Sequence, residues 1–169
     1  LSASLLVIVP FVVTEIPRER ARWRQAAAEE FLVEDKFELA MREANRAVEL
    51  DPDSPTFRLL QARIFAEQST SKTGEPKSLD LQQAFQCLAE AEQRAEPEQR
   101  AKVYEWRADL LQKNQRWEEA VLDWKKLGAL SDSERPFPPE QYLNGSAYAR
   151  ALANVELDIA LADVNEALD

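Results

Sequence analysis

Four stretches of this chain repeat one spacing of small and large residues, and a recurrence of that kind leaves few folds open. In the first, Ala28 is followed at +3 by Phe31, at +12 by Ala40, at +16 by Ala44, at +19 by Ala47 and at +24 by Pro52. In the third, Ala108 is followed at the same offsets by Leu111, Ala120, Trp124, Leu127 and Asp132. Small residues three to four apart on a helix let a second helix approach closely, and the large ones fill the space between. A unit of this size cannot bury its apolar face alone, so its copies must stack. The pattern predicts an all-α binding scaffold and leaves open what is bound.

The other two copies carry insertions. Ala62 and Phe65 open the second, but its matching alanine is Ala84, at +22, so about ten residues enter between the two helices; Leu88 and Ala91 then follow in register. The fourth runs Ala147, Ala160 at +13, Val164 at +17 and Ala167 at +20, a one-residue insertion. Three residues before each second-helix alanine stands a large apolar residue: Phe37, Leu81, Trp117 or Leu157.

The pattern resembles the tetratricopeptide repeat (TPR), a unit of about 34 residues. The likeness is carried by Ala26 to Pro52, by Arg107 to Leu127, and by Leu143 to Leu168, which is similar to the family's Leu-Asn-x-x-Ala-Tyr variant. It covers roughly residues 21–169, with repeats at about 21–54, 55–97, 101–134 and 140–169; the second holds an inserted loop at 69–78 and the fourth is truncated. The resemblance implies a right-handed superhelix of about four helix-turn-helix pairs, with a protein or peptide partner in the concave groove lined by each pair's first helix. The alternative is an ordinary helical bundle with alanine-rich interfaces.

Turn and cap residues set the expected helices. The first pair is read as Arg18 to Val33 and Phe37 to Leu50, parted by Glu34-Asp35-Lys36 and ended by Asp51-Pro52, since proline disfavours helix at the residue before it. Ser54-Pro55 starts the next helix, with proline in its favoured first turn, running to about Gln68; Ser69 to Ser78 reads as a loop. Helices are expected at about Leu79 to Ala95, Glu98 to Lys113, Trp117 to Leu130, Pro139 to Ala153 and Leu157 to Leu168.

Composition removes several classes of function. The chain has no His and one cysteine, Cys87, which excludes an internal disulfide and a His-based or thiol-rich metal site. Cys87 lies between Phe85 and Leu88 and reads as a packed core thiol. The net charge is −10. Residues 1–24 hold four arginines, Arg18, Arg20, Arg22 and Arg24, against Glu15 and Glu19, a local +2; the remainder has 17 basic and 29 acidic residues, a balance of −12. A domain that acidic repels phosphate backbones, so no nucleic-acid partner is expected. No phosphate-binding glycine loop, nucleophile elbow or metal-ligand spacing occurs. Paired carboxylates such as Glu29 with Glu30 and Glu118 with Glu119 read as solvated surface, so the segment is expected to be non-catalytic and to need no cofactor.

Residues 1–17 form a separate apolar segment ahead of a domain at 18–169. Leu5 to Val13 is nine residues without a charged or hydrogen-bonding side chain, too short to span about 30 Å of hydrocarbon alone. It suits the second half of a membrane helix, the apolar region of a signal peptide, or a stub packed on the repeats. Membrane anchoring is favoured, because β-branched residues around Pro10 make a poor soluble helix. The side of the membrane stays open, and secretion or a periplasmic location is the alternative. At the other terminus no polar capping helix follows the fourth copy, so self-association through this end is a further reading.

By repeat register the groove should be lined by Arg22, Gln25 and Glu29, then Thr56, Leu59 and Arg63, then Lys102, Glu105 and Asp109, then Gln141, Asn144 and Tyr148. The Lys/Asn clamp with which some TPR domains hold a peptide carboxylate is absent from these places. Trp106 falls beside Glu105 as an aromatic anchor or a wedge between pairs; Trp117 and Trp124 fall on core positions. The rival to a stand-alone scaffold is the accessory region of a larger membrane-associated enzyme, such as a kinase, with its catalytic domain outside this segment.

Overall fold

A computed structural model describes residues 3–70, 78–134 and 138–168, with side chains from Pro17 onward. The fold is all-α. Among the described residues there are eight α-helices: α1 (Ala3–Val33), α2 (Phe37–Leu50), α3 (Pro55–Thr70), α4 (Ser78–Arg94), α5 (Pro97–Lys113), α6 (Trp117–Gly128), α7 (Pro139–Ala153) and α8 (Leu157–Glu166). A 3-10 turn, Asp132–Glu134, lies between α6 and α7. The helices form two compact units, residues 1–94 and 95–169. In the first, α1 packs on α2, α2 on α3 and α3 on α4; in the second, α5 packs on α6, α6 on α7 and α7 on α8.

The hairpin turns repeat to the level of single hydrogen bonds. Seven residues past Ala28, Ala108 and Ala147 stand Asp35, Gln115 and Asn154, each with positive φ, at 56°, 59° and 55°. This left-handed residue turns the chain out of the helix. The next N–H then reaches back five residues: Lys36 to the Phe31 carbonyl at 2.9 Å, Arg116 to Leu111 at 2.9 Å and Val155 to Arg150 at 3.1 Å. The one-residue insertion of the fourth pair is absorbed by a second left-handed residue, Glu156, φ 47°. At the matching place in the second pair, Ser69 remains helical and α3 runs on to Thr70.

In the first three copies the alanines sit where the spacing requires them, whereas in the fourth Val164 is 39% exposed and Ala167 only half-buried. Ala28, Ala40, Ala44, Ala47, Ala84, Ala91, Ala108 and Ala120 are all inaccessible to solvent. In the first unit Ala28, Leu32, Ala40, Ala44, Leu60 and Ile64 make one cluster, flanked by Phe31, Phe37 and Met41. Ala21, Ala47 and Phe57 make a second. In the second unit Trp124 lies over Gly145, where even one added methyl would stand 2.5 Å from the indole. That glycine is needed for close approach of α6 to α7, since its φ is not positive.

Several boundaries differ from the sequence reading. The first helix begins at Ala3, not Arg18, and runs through Pro10 and Pro17. Each β-branched residue disfavours helix by only tenths of a kcal/mol, and extending a formed helix needs no new nucleus. Residues 3–17 are therefore joined to the repeats by continuous helix. Ser69, Thr70 and Ser78 are helical, and the rest of the expected loop, 71–77, lies outside the described residues. No helix among the described residues is long and apolar enough to cross a membrane.

Candidate functional site

Within the helix pairs the polar interior follows a rule of its own. Three residues past the second-helix alanine stand Glu43, Asp123 and Asp163, each bound by an arginine of the first helix. Arg24 donates to Glu43 at 2.8 Å; Arg107 grips Asp123 with two bonds of 2.7 Å; Arg150 donates to Asp163 at 2.7 Å. The arginines stand at −4, −1 and +3 from the first-helix alanine, offsets three and four apart, and so share one helix side. Glu43 and Asp123 are each only 4% exposed. A carboxylate so placed costs several kcal/mol to desolvate unless paired. Burial pushes the Glu43 carboxyl up, but the bond from Arg24 and the charges of Arg46, Arg24 and Arg42 outweigh it, holding it below its ordinary value.

In the second pair this place is Cys87, and Arg58 instead faces Glu90, three residues further on, at 3.3 Å. Burial, then the charge of Glu90, pushes the Cys87 thiol up to about 11. A thiol that weakly acidic is protonated at neutral pH and makes a poor nucleophile or metal ligand. Among the described residues no cluster of His, Cys, Asp or Glu could hold a metal ion.

The residues expected to line a groove fall in both units. In the first, Arg22 and Glu29 are exposed, while Gln25 is half-buried and donates to Glu29 at 2.8 Å. Leu59 and Arg63 are half-buried, and Arg63 is paired with Glu67 at 2.7 Å along the same helix. In the second, Lys102, Asp109, Asn144 and Tyr148 are exposed and Trp106 is half-buried. Glu105 differs from the open lining expected of it: it is buried and accepts a hydrogen bond from Gln141 of α7. Burial first, and the neighbouring Asp109 second, raise its pKa against the opposing effects of Gln141 and Lys102. Asp109 is itself raised by desolvation.

Trp117 departs from its expected core role. As the first residue of α6 it sits at the turn end of the hairpin, half-buried, with its ring edge-on to Tyr148 at 5.9 Å and 86°. It lines an open pocket of about 280 Å³ with Gln115, Arg116, Glu118, Glu119, Leu152 and Ala153. Arg116 and Glu119 are locked together at the rim by bonds of 2.6 and 2.5 Å. Tyr148 is 55% exposed and Leu152 45%. Trp117, Leu152 and Ala153 supply its apolar part and Gln115, Arg116, Glu118 and Glu119 its polar part, a mixed lining that can hold a side chain of a partner. The sequence signal for it was present in Tyr148 but hidden at Trp117, which the repeat spacing had marked as a core residue; its equivalents Phe37 and Leu81 are likewise only half-buried and Leu157 is exposed. No protein-family model and no curated protein matches this chain; its helices are packed in adjacent pairs.

Proposed function

We propose that this chain is a non-catalytic protein–protein interaction scaffold of the tetratricopeptide type, holding a protein or peptide partner on its first-helix surfaces and tethered to a membrane by its N-terminal apolar segment. The observation that carries the reading is the threefold recurrence of one hairpin, with the same left-handed turn residue and the same back-reaching hydrogen bond. An array of that kind commits its alanine faces to internal contact and leaves the outer side chains of its first helices free to vary. Tyr148, exposed on α7 and edge-on to Trp117, gives that surface an aromatic anchor. Affinity capture with the chain as bait tests it. Tyr148→Ala should weaken retention of a specific partner by about 2 kcal/mol, as for an interface anchor, and Glu29→Ala by under about 1 kcal/mol. A set of captured proteins indifferent to every substitution among Arg22, Glu29, Lys102, Asn144 and Tyr148 would refute the assignment.

A second reading, self-association through α8, is favoured by one observation. Leu157, Leu161 and Val164, spaced four and three apart on α8, are 52%, 63% and 39% exposed. Such spacing is the seam of a helix–helix contact. Sedimentation over a range of concentrations decides it, and a strictly monomeric chain removes it.

A further inference from the structure

Within each unit a second helix packs only on first helices. Among the described residues α2 contacts α1 and α3, α6 contacts α5 and α7, and no second helix packs on another. The contact with the following first helix keeps one register. Trp124, four past Ala120, covers Gly145, two before Ala147, and a Cβ added at Gly128 would stand 3.7 Å from the ring of Tyr142, five before Ala147. In the first unit Ala44 and Leu60, at the same offsets as Trp124 and Gly145, share one cluster. Phe57, five before Ala62, shares the other with Ala47. Bulk is traded across the contact, a large residue on one helix facing a small one on the other.

Two helices carry half of this contact with nothing on it. On α8 the equivalents of Trp117, Val121 and Trp124 are Leu157, Leu161 and Val164, all exposed. On α1 the equivalents of Tyr142 and Gly145 are Trp23 and Ala26, both exposed; Trp23 is open by 78% where Phe57, at the same offset, is open by 4%. Open apolar faces of this kind mark contact surfaces.

We propose that α8 of one copy docks on this face of α1 in a second copy, head to tail, in the register of α6 on α7. The proposal rests on the self-association reading of α8 given above and names the surface that α8 meets. Val164 then covers Ala26 as Trp124 covers Gly145, and Trp23 lies over Ala167 as Phe57 lies with Ala47. An α8 face set on its own copy would meet only Leu157, Leu161 and Val164, with no small residue there to receive bulk, and would leave Trp23 in water. The contact joins unlike faces, so a dimer formed through it still offers one α8 and one α1 for further addition. One residue opposes it. Glu30 stands where Ile64 and Ala149 are inaccessible to solvent, and α8 has no basic residue to meet its carboxylate. That charge loses water without gaining a partner, which makes association weaker than the internal contacts and dependent on concentration.

The experiment is sedimentation velocity of the full chain over a range of concentrations, with Val164→Asp, Trp23→Asp and their equimolar mixture. Both side chains are exposed, so the circular dichroism of each variant should match wild type. Wild type should form dimers and larger species, and each substitution alone should weaken association about thirtyfold. The mixture should restore a dimer of one copy of each variant and stop there, because only one intact α8 face and one intact α1 face remain. Glu30→Ala should tighten wild-type association about tenfold. If Val164→Asp is monomeric but Trp23→Asp associates as wild type does, α8 pairs with itself: self-association stands and the α1 face is refuted. Two monomeric variants whose mixture stays monomeric, or a Glu30→Ala chain that associates less, also overturn the α1 face. A strictly monomeric wild type, or association that survives Val164→Asp, removes both readings.

Discussion

The first and third helix pairs use the same turn, the same alanine contact and the same buried acid, yet the units they open are completed differently. In the unit of residues 1–94 the second pair has lost the acid: Cys87 takes its place and the ion pair moves along α4 to Glu90. In the unit of residues 95–169 the second pair keeps it, as Asp163 bound by Arg150, but its last helix buries little besides Ala160. What stays constant across these changes is the nesting of helices on small residues. The polar interior can shift by a turn or become a thiol, because an ion pair needs only a partner within reach, whereas a close helix contact needs a specific small residue.

The largest test of that distinction is Asp123→Ala. It leaves the nearly buried Arg107 without its two-bond partner and should cost about 3–5 kcal/mol. Cys87→Ala, at the matching position, should cost far less. Urea midpoints compare the two, and equal losses would show that the acid has no special role. Next come Ala40→Leu and Ala120→Leu, which overpack equivalent helix contacts and should each cost about 1–3 kcal/mol. An unchanged melting curve for either would break the equivalence of the first and third pairs.

Two buried acids, Glu43 in the first unit and Glu105 in the second, respond to acidity with opposite sign. Glu43 is held below its ordinary value, so its contribution is complete above the ordinary carboxylate range and lost as pH falls through the lowered value. Glu105 is raised by burial and by Asp109, so its contribution is complete below that range and lost as pH rises through the raised value. Glu105→Gln should therefore stabilise the second unit at neutral pH and flatten its stability profile above the carboxylate range. Amide hydrogen exchange in α5 and α7, followed against pH, reads this out; a profile identical to wild type would remove Glu105 as its source. The smallest effect is expected at Gln115→Gly. Relief of a left-handed non-glycine residue should stabilise by about 0.5–1 kcal/mol. A loss instead would mean that the Gln115 side chain, which lines the pocket, contributes more than its backbone strain costs.

Most helix boundaries were legible because they are written in local chemistry. Pro55, Pro97 and Pro139 each open a helix, and Asp35 and Asn154 belong to the residue types that tolerate a left-handed turn. The extension of α1 through Pro10 and Pro17 was not legible, since an interior proline disfavours helix by about 3 kcal/mol and local chemistry gives no reason to continue through two of them. The arginine clamps were also hidden. Their acids recur at a fixed offset, but Arg24, Arg107 and Arg150 occupy three different positions that coincide only on a folded helix side. Glu105 looked like an open groove residue until Gln141 closed over it from another helix.

The sequence by itself determined the pairing of helices, because the spacing of alanines fixes where two helices can touch and the turn residues fix where each must reverse. Tertiary structure alone decided which polar side chains are inside. That choice depends on what a neighbouring helix brings within about 3 Å, and linear spacing along one helix does not contain that distance. It set Glu43 and Asp123 in the interior, opened Trp117 toward solvent, and left Arg20, Arg22 and Trp23 uncovered on α1.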